Sequence, residues 1–491
     1  MKKSIIMFYF VLYAICLIST SCRSVSVKSG EIYDLEMEAR VDEVFGRFNE
    51  ETPGAALAVI KDGQVVYKKG YGTAQLEYGA AIGPDTVFHV ASVSKQFTAF
   101  AILLLAEEGK LSLDDDIREY LPEVGDLGKT ITIRHLVHHT SGLRDQWVLL
   151  RMAGWRMDDV ITTEHILKLV QRQQELNFEP GAEHLYCNTG YTLLAEIVAR
   201  VSGQSFREWT AEHIFEPLGM TNTHFHDDHE MIVKNRAYSY RPVRDQGYKK
   251  AVLSFANVGA TSLFTTAEDL AQWLLNFEEK KVGSAGVFEQ MHKQGILNNA
   301  EEINYAFALN IGEYKGLKTV GHSGSDAGFR SYAARFPQQR FGVVVLSNVS
   351  NSNPSGLARQ VADIYLADEI TEEEPRSRQR RSPETKEQEP ITLSEEELAE
   401  YAGYYLSEEL DTTYRFIVRE GQLTALHQRH SDISMRVNGE DEFRGGVLGT
   451  VRFTRNKENQ IDGFRATSGR VRNLRFDKFI FIEEETTGDS G

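Results

Sequence analysis

The arrangement of β-rich segments is the feature of this sequence that most constrains its fold. Residues 55–70 contain two β-rich runs around a turn, and residues 331–348 contain two more, also separated by turn residues. Helix formers dominate much of the stretch between these two hairpin signals. Because strands at both ends must share a core with the helices between them, the sequence predicts an α+β domain over residues 36–368. We expect its sheet to be built from both ends of the domain.

The C-terminal part of the chain has a different pattern. Between residues 391 and 484, short β-rich segments recur about every ten residues, a spacing that is typical of small all-β sheets and barrels. Residues 369–390 are rich in Glu, Arg, Ser and Pro and lack apolar periodicity, so they are predicted to be a linker. Residues 485–491 are predicted to be a tail.

The N-terminus has the composition of an export signal. Two lysines precede an apolar run over residues 5–18, and small residues then lead to Cys22. Residues 1–22 are therefore predicted to be a signal peptide, and residues 23–35 a polar tether. The segment before Cys22 is similar to a bacterial lipoprotein cleavage site, so we expect a periplasmic protein or a lipoprotein anchored through Cys22. Secretion with an unmodified cysteine is the alternative.

The overall charge limits the partners that the protein can have. The 491 residues carry a formal net charge of −17. A surface this acidic repels nucleic acid phosphates and anionic membranes. Nucleic acid is therefore not expected as a partner, and a lipid on Cys22 is the only membrane contact that the sequence suggests. A small-molecule or peptide substrate fits the composition.

The motif Ser92-x-x-Lys95 is the first candidate for chemistry. Residues three apart lie on one face of a helix, so the Lys95 ammonium would lie beside the Ser92 hydroxyl. A helix N-terminus supplies free N–H groups that favour an oxyanion, and burial of the following apolar helix would lower the pKa of Lys95. An ordinary N-cap serine is the alternative interpretation of Ser92, since a short motif occurs easily by chance.

Two further motifs follow in order, Tyr186-x-Asn188 and His322-x-Gly324. Together with the first motif they resemble the serine β-lactamase-related, penicillin-recognising hydrolases of the class C type. The resemblance covers about residues 38–368. It implies an antiparallel sheet flanked by helices, with a helical subdomain. Residues 391–484 are similar to the lipocalin-like β-domain that is often appended in this family.

The resemblance also implies roles for individual residues. Ser92 would be the acylated nucleophile, Lys95 its proton-handling partner and Tyr186 a second proton shuttle. Asn188 would hold the lysine and the substrate amide by hydrogen bonds. The implied reaction proceeds through an acyl-enzyme on amide or ester bonds and requires no cofactor and no metal.

The third motif is expected to bind substrate and departs from part of the family. His322, Gly324 and Ser325 would line the substrate, and the N–H groups of Ser92 and Ser325 would form the oxyanion hole. The antibiotic-hydrolysing members carry a lysine where this chain has His322. Histidine is mostly neutral at pH 7, so recognition of a substrate carboxylate is expected to be weaker. Esters, D-amino-acid peptides and β-lactams all remain candidate substrates.

Three alternatives compete with this prediction. A binding protein that does not hydrolyse its ligand, such as a penicillin sensor or a cell-wall scaffold, could retain the same fold. The sequence around Gly321-His322-Ser323 is close to the nucleophile elbow of another hydrolase class, with Ser323 as the nucleophile. The stretch containing His224, His226 and His229 matches a zinc-binding signature, although a solvated loop is the simpler interpretation.

A second group of histidines lies at residues 135, 138 and 139. It could also suggest a metal site. The histidines immediately precede Thr140-Ser141-Gly142, which is typical of a tight turn, so we interpret them as flanking that turn. The sequence therefore assigns them no functional role.

Overall fold

The computed structural model describes residues 29–371 and 393–480. The predicted signal peptide and the predicted tail lie outside the described residues, as does most of the predicted linker. The first helix begins at Ser29, inside the segment that was predicted to be a tether. Within the described residues, no helix is both long enough and apolar enough to cross a membrane.

The described α-helices are α1 Ser29–Phe45, α2 Lys95–Glu107, α3 Ile133–Val137, α4 Gln146–Met152, α5 Thr163–Arg172, α6 Asn188–Ser202, α7 Phe206–Thr210, α8 Glu216–Leu218, α9 Ala267–Glu279, α10 Ala285–Met291, α11 Pro354–Tyr365 and α12 Glu395–Ala399. Short 3₁₀ turns lie at Ala91–Ser94, Ile117–Glu119, Pro337–Gln339 and Gly446–Leu448, and a π-helical turn at Ala211–Phe215.

The strands of the first domain are β1 Ala55–Lys61, β2 Gln64–Tyr71, β3 Thr73–Gln75, β4 Ala80–Ala81, β5 Phe88–His89, β6 Ile161–Thr162, β7 His224–Phe225, β8 Tyr240–Val243, β9 Gly247–Lys250, β10 Phe255–Ala256, β11 Leu263–Thr265, β12 Asn310–Tyr314, β13 Leu317–Asp326, β14 Phe329–Phe336 and β15 Phe341–Ser347. The strands of the second domain are β16 Gly403–Ser407, β17 Thr412–Arg419, β18 Gln422–Leu426, β19 Ile433–Ser434, β20 Arg436–Gly439, β21 Glu442–Gly445, β22 Gly449–Arg455, β23 Ile461–Ser468 and β24 Val471–Phe479.

The main sheet is antiparallel and is built from both ends of the first domain. Its strand order is β12-β13-β14-β15-β1-β2. Strands β1 and β15 pair in the centre, with Ala55 opposite Ser347 and Lys61 opposite Phe341. This topology confirms the predicted α+β fold.

Both faces of the main sheet are buried. Side chains of β1 alternate between two clusters, since Leu57 and Val59 pack with α1 and α11 while Ala56 and Ala58 pack with the helical part of the domain. An antiparallel sheet with helices on both faces has central strands that are apolar at nearly every position. This explains why β1 and β15 are continuous hydrophobic runs in the sequence.

Helix α2 forms the centre of the helical region. Nearly all of its residues are buried, and it packs against α6 and α10. Phe97 and Phe100 on this helix contact Trp273 of α9, with ring centroids 4.5 and 5.0 Å apart. A helix that is buried all round offers its first turn a rigid, dry position. That first turn carries Lys95.

The second domain is a nearly closed barrel-shaped sheet of nine strands. Its interior is filled by aromatic side chains that contact one another, among them Tyr405, Phe416, Phe453 and Phe464. The barrel-like prediction is therefore confirmed, and packed aromatic side chains form the core of this domain.

Candidate active site

The 3₁₀ turn Ala91–Ser94 leads directly into α2 and carries Ser92. Ala91 has a φ of +49°, a left-handed backbone conformation that is rare for a residue with a side chain. This strained turn lies immediately before Ser92. It leaves the Oγ of Ser92 3.1 Å from the Nζ of Lys95, as the spacing of three residues predicted.

The other contacts of Lys95 determine what its amine can do. Its Nζ donates to the Oδ1 of Asn188 at 2.8 Å and to the carbonyl oxygen of Ala260 at 2.6 Å. Both oxygens can only accept, so they use two N–H groups. In the neutral amine the remaining lone pair is directed at the Ser92 hydroxyl. Lys95 is therefore placed to accept the proton of Ser92.

Burial lowers the pKa of Lys95 to about 7. The negative charges of Asp326 and Asp145 act against this effect, while the positive charge of Arg470 adds to it. A base is most useful when its pKa is close to the working pH. Lys95 thus has the proton affinity of a general base near neutral pH.

Asp145 fixes the orientation of Asn188. Its Oδ2 accepts from both the backbone N and the Nδ2 of Asn188, each at 2.8 Å. Because Nδ2 faces the carboxylate, Oδ1 is the atom that faces Lys95. Asp145 also caps α4, since it accepts from the backbone N–H groups of Trp147 and Val148. Its side chain is fully buried.

Tyr186 lies over the same site. The Nζ of Lys95 is 5.0 Å from the centroid of its ring. The Tyr186 hydroxyl oxygen is buried and has no hydrogen-bond partner that meets normal geometry within the described residues. Burial raises the pKa of Tyr186, while the Ser92 hydroxyl and the charge of Arg470 lower it. The phenol is therefore protonated at neutral pH, and its hydroxyl is free to hydrogen-bond a substrate.

Strand β13 forms the opposite wall and approaches the 3₁₀ turn closely at Gly324. A Cβ atom on Gly324 would lie 2.3 Å from the carbonyl oxygen of Val90 and 3.0 Å from the backbone N of Ser92. Only glycine permits this approach. Strand β12 pairs with β13 no further than Gly321, so within the described residues the outer edge of residues 322–326 has no strand partner. Ser325 is exposed on this segment.

His322 is held by a hydrogen-bonded chain that we call the neutral relay, formed by His139, Tyr305 and His322. The Nδ1 of His139 accepts from the backbone N–H of Cys187, so its Nε2 carries the proton and donates to the Tyr305 hydroxyl at 3.2 Å. Tyr305 must then donate to the Nε2 of His322 at 3.1 Å. The remaining nitrogen of His322, Nδ1, donates to the carbonyl oxygen of Ser323 at 2.6 Å. Each imidazole is thus held as a single neutral tautomer.

The neutral relay determines what His322 can contribute. Burial and the charge of Lys95 lower the pKa of His322 to about 4. A cation at this position would also require Tyr305 to stop donating to Nε2. His322 is therefore neutral at pH 7 and cannot attract a substrate carboxylate as a lysine would.

The second domain also contributes a residue to the candidate site. The Nη2 of Arg470 lies 3.2 Å from the Oδ1 of Asp145, and its guanidinium carbon lies 5.5 Å from the centroid of the Tyr186 ring. A chain of contacts therefore leads from the barrel to the amine of Lys95. We call it the charged relay, and its members are Arg470, Asp145, Asn188 and Lys95.

Sequence reasoning missed several of these residues. His139 was interpreted only as flanking a turn, whereas its ring centroid lies 4.1 Å from that of Tyr186. That interpretation was incomplete. Asp145 precedes a helical segment and could have been predicted as an N-cap, but not as a partner of Asn188. No local signal marks Tyr305 or Arg470, because their roles depend on contacts with residues far away in the chain.

The competing sites are not assembled in the described residues. His224 and His226 lie 3.3 Å apart through Nε2 and Nδ1, but His229 is exposed. Among residues 29–371 and 393–480, no group of three or more His, Cys, Asp or Glu side chains is arranged to hold a metal ion. Ser323 is exposed in the middle of β13, which leads into another strand, whereas a nucleophile elbow requires a turn from strand to helix.

Comparison with known proteins agrees with this geometry. The sequence profile of the Beta-lactamase family matches residues 41–367. A D-aminopeptidase from Brucella anthropi is 28% identical over 314 residues, which make up 64% of this chain and 59% of that protein. The match therefore spans less than two thirds of that relative's length.

Solved structures share the fold. The octameric penicillin-binding protein homologue from Pyrococcus abyssi is 26% identical, with a TM-score of 0.60, over 90% of this chain and 99% of that chain. Coverage of this extent includes the C-terminal barrel. The D-amino acid amidase from Ochrobactrum anthropi SV3, solved with L-phenylalanine amide, is 21% identical with a TM-score of 0.57 over 69% and 99% of the two chains. The ordered motifs, their geometry and the profile match show that the chain belongs to the Beta-lactamase family of serine hydrolases.

Proposed function

We propose that the protein hydrolyses amide or ester bonds through an acyl-enzyme on Ser92. The observation that carries this proposal is the 3.1 Å contact between the Nζ of Lys95 and the Oγ of Ser92. Because Asn188 and Ala260 accept from two N–H groups of Nζ, the lone pair of the neutral amine would face the hydroxyl. As the Ser92 Oγ attacks the carbonyl carbon, its proton passes to the Nζ of Lys95. The N–H groups of Ser92 and Ser325 then stabilise the oxyanion.

The second half of the reaction uses the same groups. The protonated Lys95 returns its proton to the leaving group, and the buried hydroxyl of Tyr186, whose ring lies against Lys95, would assist this transfer. Water then attacks the acyl-enzyme as it gives a proton to the neutral Nζ of Lys95, and that proton passes to the Ser92 Oγ when the ester bond breaks. All proton transfers therefore take place within the site.

We propose small peptides or amides of D-amino acids with a free amino group as the substrate class. The names of the D-aminopeptidase and D-amino acid amidase relatives support this choice. The neutral His322 offers no positive charge to a carboxylate. On the same strand, Asp326 presents a carboxylate whose Oδ2 contacts the Nε2 of His89 at 3.0 Å and the hydroxyl of Thr261. Its charge is the strongest of those that raise the proton affinity of Lys95, so it would also attract a substrate ammonium.

The test compares wild type, Ser92→Ala and Ser323→Ala on the p-nitroanilides of D-alanine and L-alanine, on p-nitrophenyl acetate and on nitrocefin. We expect Ser92→Ala to lose at least about 10³-fold in kcat/KM on every substrate that wild type cleaves. Ser323→Ala, an equally small change on the neighbouring strand, should keep wild-type rates. The D-anilide should be preferred over the L-anilide.

Several outcomes would contradict the proposal. Loss of activity in Ser323→Ala with retention in Ser92→Ala would assign the nucleophile to the other serine. Covalent labelling of Ser92 by a fluorescent penicillin, without turnover of any ester or amide, would favour a binding protein. Preference for the L-anilide would remove the substrate class and leave the acyl-enzyme in place.

We further propose that the protein is exported and anchored by a lipid on Cys22. The apolar run over residues 5–18 and the small residues before Cys22 support this. Expression of wild type and Cys22→Ala in bacteria grown with a labelled fatty acid tests the proposal. The label should appear in wild type alone. A label-free wild-type protein in the periplasmic fraction would show export without an anchor, and a cytoplasmic protein with an intact N-terminus would contradict export.

A further inference from the structure

Ion pairs join the two domains beside the candidate active site. Arg144 of the first domain is fully buried and pairs with Glu409 of the barrel at 2.5 Å, while the next residue, Asp145, pairs with Arg470 of the barrel. Two consecutive residues of the first domain, one cationic and one anionic, therefore each pair with an opposite charge of the barrel. Burying Arg144, Glu409 and Asp145 is costly unless the domains dock so that each charge meets its partner.

The hairpin that carries Arg470 is held rigidly. Arg470 lies at the turn between β23 and β24, next to Gly469, whose φ is +53°. The Nδ2 of Asn177 donates to the carbonyl oxygen of Arg470 at 3.0 Å, and its Oδ1 accepts from the backbone N of Arg472 at 2.8 Å. One asparagine of the first domain thus holds the backbone on both sides of Val471, immediately after Arg470. These bonds fix the backbone from which the Arg470 side chain extends, and its guanidinium then contacts Asp145 and the Tyr186 ring.

We propose that Arg470 is a positioning residue of the catalytic centre, so that the C-terminal barrel completes the active site of the first domain. It acts through the charged relay, where it holds Asp145, which orients Asn188 and thereby directs the lone pair of Lys95 at Ser92. This inference rests on the proposed acyl-enzyme function, since it assigns Lys95 the role of base.

The charges around Lys95 explain why a cation is needed there. The charged or titratable groups that face its amine are Asp326, Asp145, Arg470, Cys187, Tyr186, Tyr191, His139 and His322. Both histidines are neutral, and burial keeps the thiol of Cys187 and the two phenols protonated. Two carboxylates and one guanidinium are the charges that remain. Without Arg470 the carboxylates would act unopposed and would favour the protonated form of Lys95, which cannot accept the Ser92 proton.

The matched control lies two residues away. Arg472 is on the same hairpin, is exposed to a similar extent and also pairs across the boundary, with Glu183 at 3.0 Å. Its partner is a surface carboxylate and not a member of the charged relay. Arg472→Gln therefore weakens docking of the domains without changing the charge at Lys95.

The experiment measures the rate of Ser92 labelling by a fluorophosphonate and the kcat/KM for a p-nitrophenyl ester, both from pH 5.5 to pH 9.5, in the full chain. We expect the acid limb of both profiles to shift upward by about 0.5–1 pH unit in Arg470→Gln. At pH 6.5 this amounts to a loss of about three- to tenfold, and at pH 9 the rate should recover towards wild type. Arg470→Lys, which keeps the charge, and Arg472→Gln should retain the wild-type limb.

The outcomes separate this inference from the proposed function. If wild type shows no labelling that depends on Ser92, the proposed function fails regardless of the variants. If wild type is labelled but the profile of Arg470→Gln superimposes on that of Arg472→Gln, Arg470 has only a structural role and the inference is overturned. A uniform loss at all pH values in Arg470→Gln, with no shift of the limb, would overturn the effect of the Arg470 charge on Lys95 and leave the contact with Asp145 as its only role. If Arg470→Gln fails to fold, a shifted limb in Arg470→Lys would overturn the role of charge, and an unshifted one would support it.

Discussion

The charged relay and the neutral relay both lead to the catalytic site, but they are built from different chemistry. The charged relay alternates cation, carboxylate, amide and amine, and it crosses from the barrel into the first domain. The neutral relay consists of two imidazoles and one phenol, each in a single protonation state, and lies within the first domain. The charged relay can therefore set proton affinity, while the neutral relay can set only shape and hydrogen-bond direction.

This difference separates the two requirements of the proposed reaction. A general base needs a lone pair at a defined place and a pKa near the working pH, and both depend on the balance of charges around Lys95. A substrate wall needs a fixed surface that does not titrate in the working range. The following changes test this division of roles, starting with the largest expected effect.

Replacing Lys95 by methionine removes the proposed base from the charged relay and keeps a side chain of similar length. We expect a loss of about 10³-fold or more in kcat/KM for ester hydrolysis, because no other neutral amine lies beside Ser92 in the described site. Steady-state kinetics with circular dichroism as a check on folding would measure this. The control is Lys110→Met on an exposed lysine just after α2. Full activity of Lys95→Met would show that the base lies elsewhere.

The change Asp145→Asn tests the middle of the charged relay without changing its size. An amide cannot accept two hydrogen bonds from Asn188 with the strength of a carboxylate, so the Asn188 side chain is free to turn its Oδ1 away from Lys95. We expect a loss of about 10²-fold in kcat/KM. Asp269→Asn is a matched control, since Asp269 is another buried carboxylate that accepts from Asn222 and Thr223, away from the site. Equal losses in both variants would mean that only stability was affected.

The neutral relay is tested by Tyr305→Phe. This change leaves the Nε2–H of His139 without an acceptor and the Nε2 of His322 without a donor. We expect the free energy of unfolding to fall by about 2 kcal/mol, with less than a tenfold change in kcat/KM. In Tyr405→Phe, which removes one hydrogen bond to the carbonyl oxygen of Tyr401 in the barrel, the fall should be about 1 kcal/mol. A shift of the acid limb of the pH–rate profile in Tyr305→Phe would show that the neutral relay also affects the proton affinity of Lys95.

The smallest expected effect concerns the pH dependence of stability. The pKa of His322 is about 4 in the folded protein, below the value of about 6.5 for an unfolded histidine. The unfolded chain therefore binds more protons between these values, and the stability contributed by neutral His322 is lost as the pH falls from 6.5 towards 4. His322→Gln should reduce the loss between pH 7 and pH 5.5 by about 1 kcal/mol. Urea unfolding at the two pH values measures it, and an unchanged loss would mean that His322 already carries a proton in the folded state.

Much of the fold followed from local patterns. The two hairpin signals, at residues 55–70 and 331–348, predicted a sheet built from both ends of the first domain, and the structure pairs β1 with β15 accordingly. Regular β-rich segments predicted the barrel. These features depend on side-chain periodicity and turn chemistry, which are properties of a few consecutive residues.

The candidate site likewise has features that follow from local sequence and features that depend on tertiary contacts. The sequence by itself determined that Ser92 and Lys95 lie side by side, because three residues make about one helical turn, and the 3₁₀ turn that leads into α2 keeps this arrangement. It also determined that His322 stands where a lysine occurs in part of the family. Only the tertiary structure decided that Tyr305 holds His322 neutral and that Arg470 reaches Asp145 from the barrel. Those contacts join residues that are remote in the chain. The hydrogen bond of Tyr305 exists only after the first domain has folded, and the ion pair of Arg470 only after the two domains have packed together.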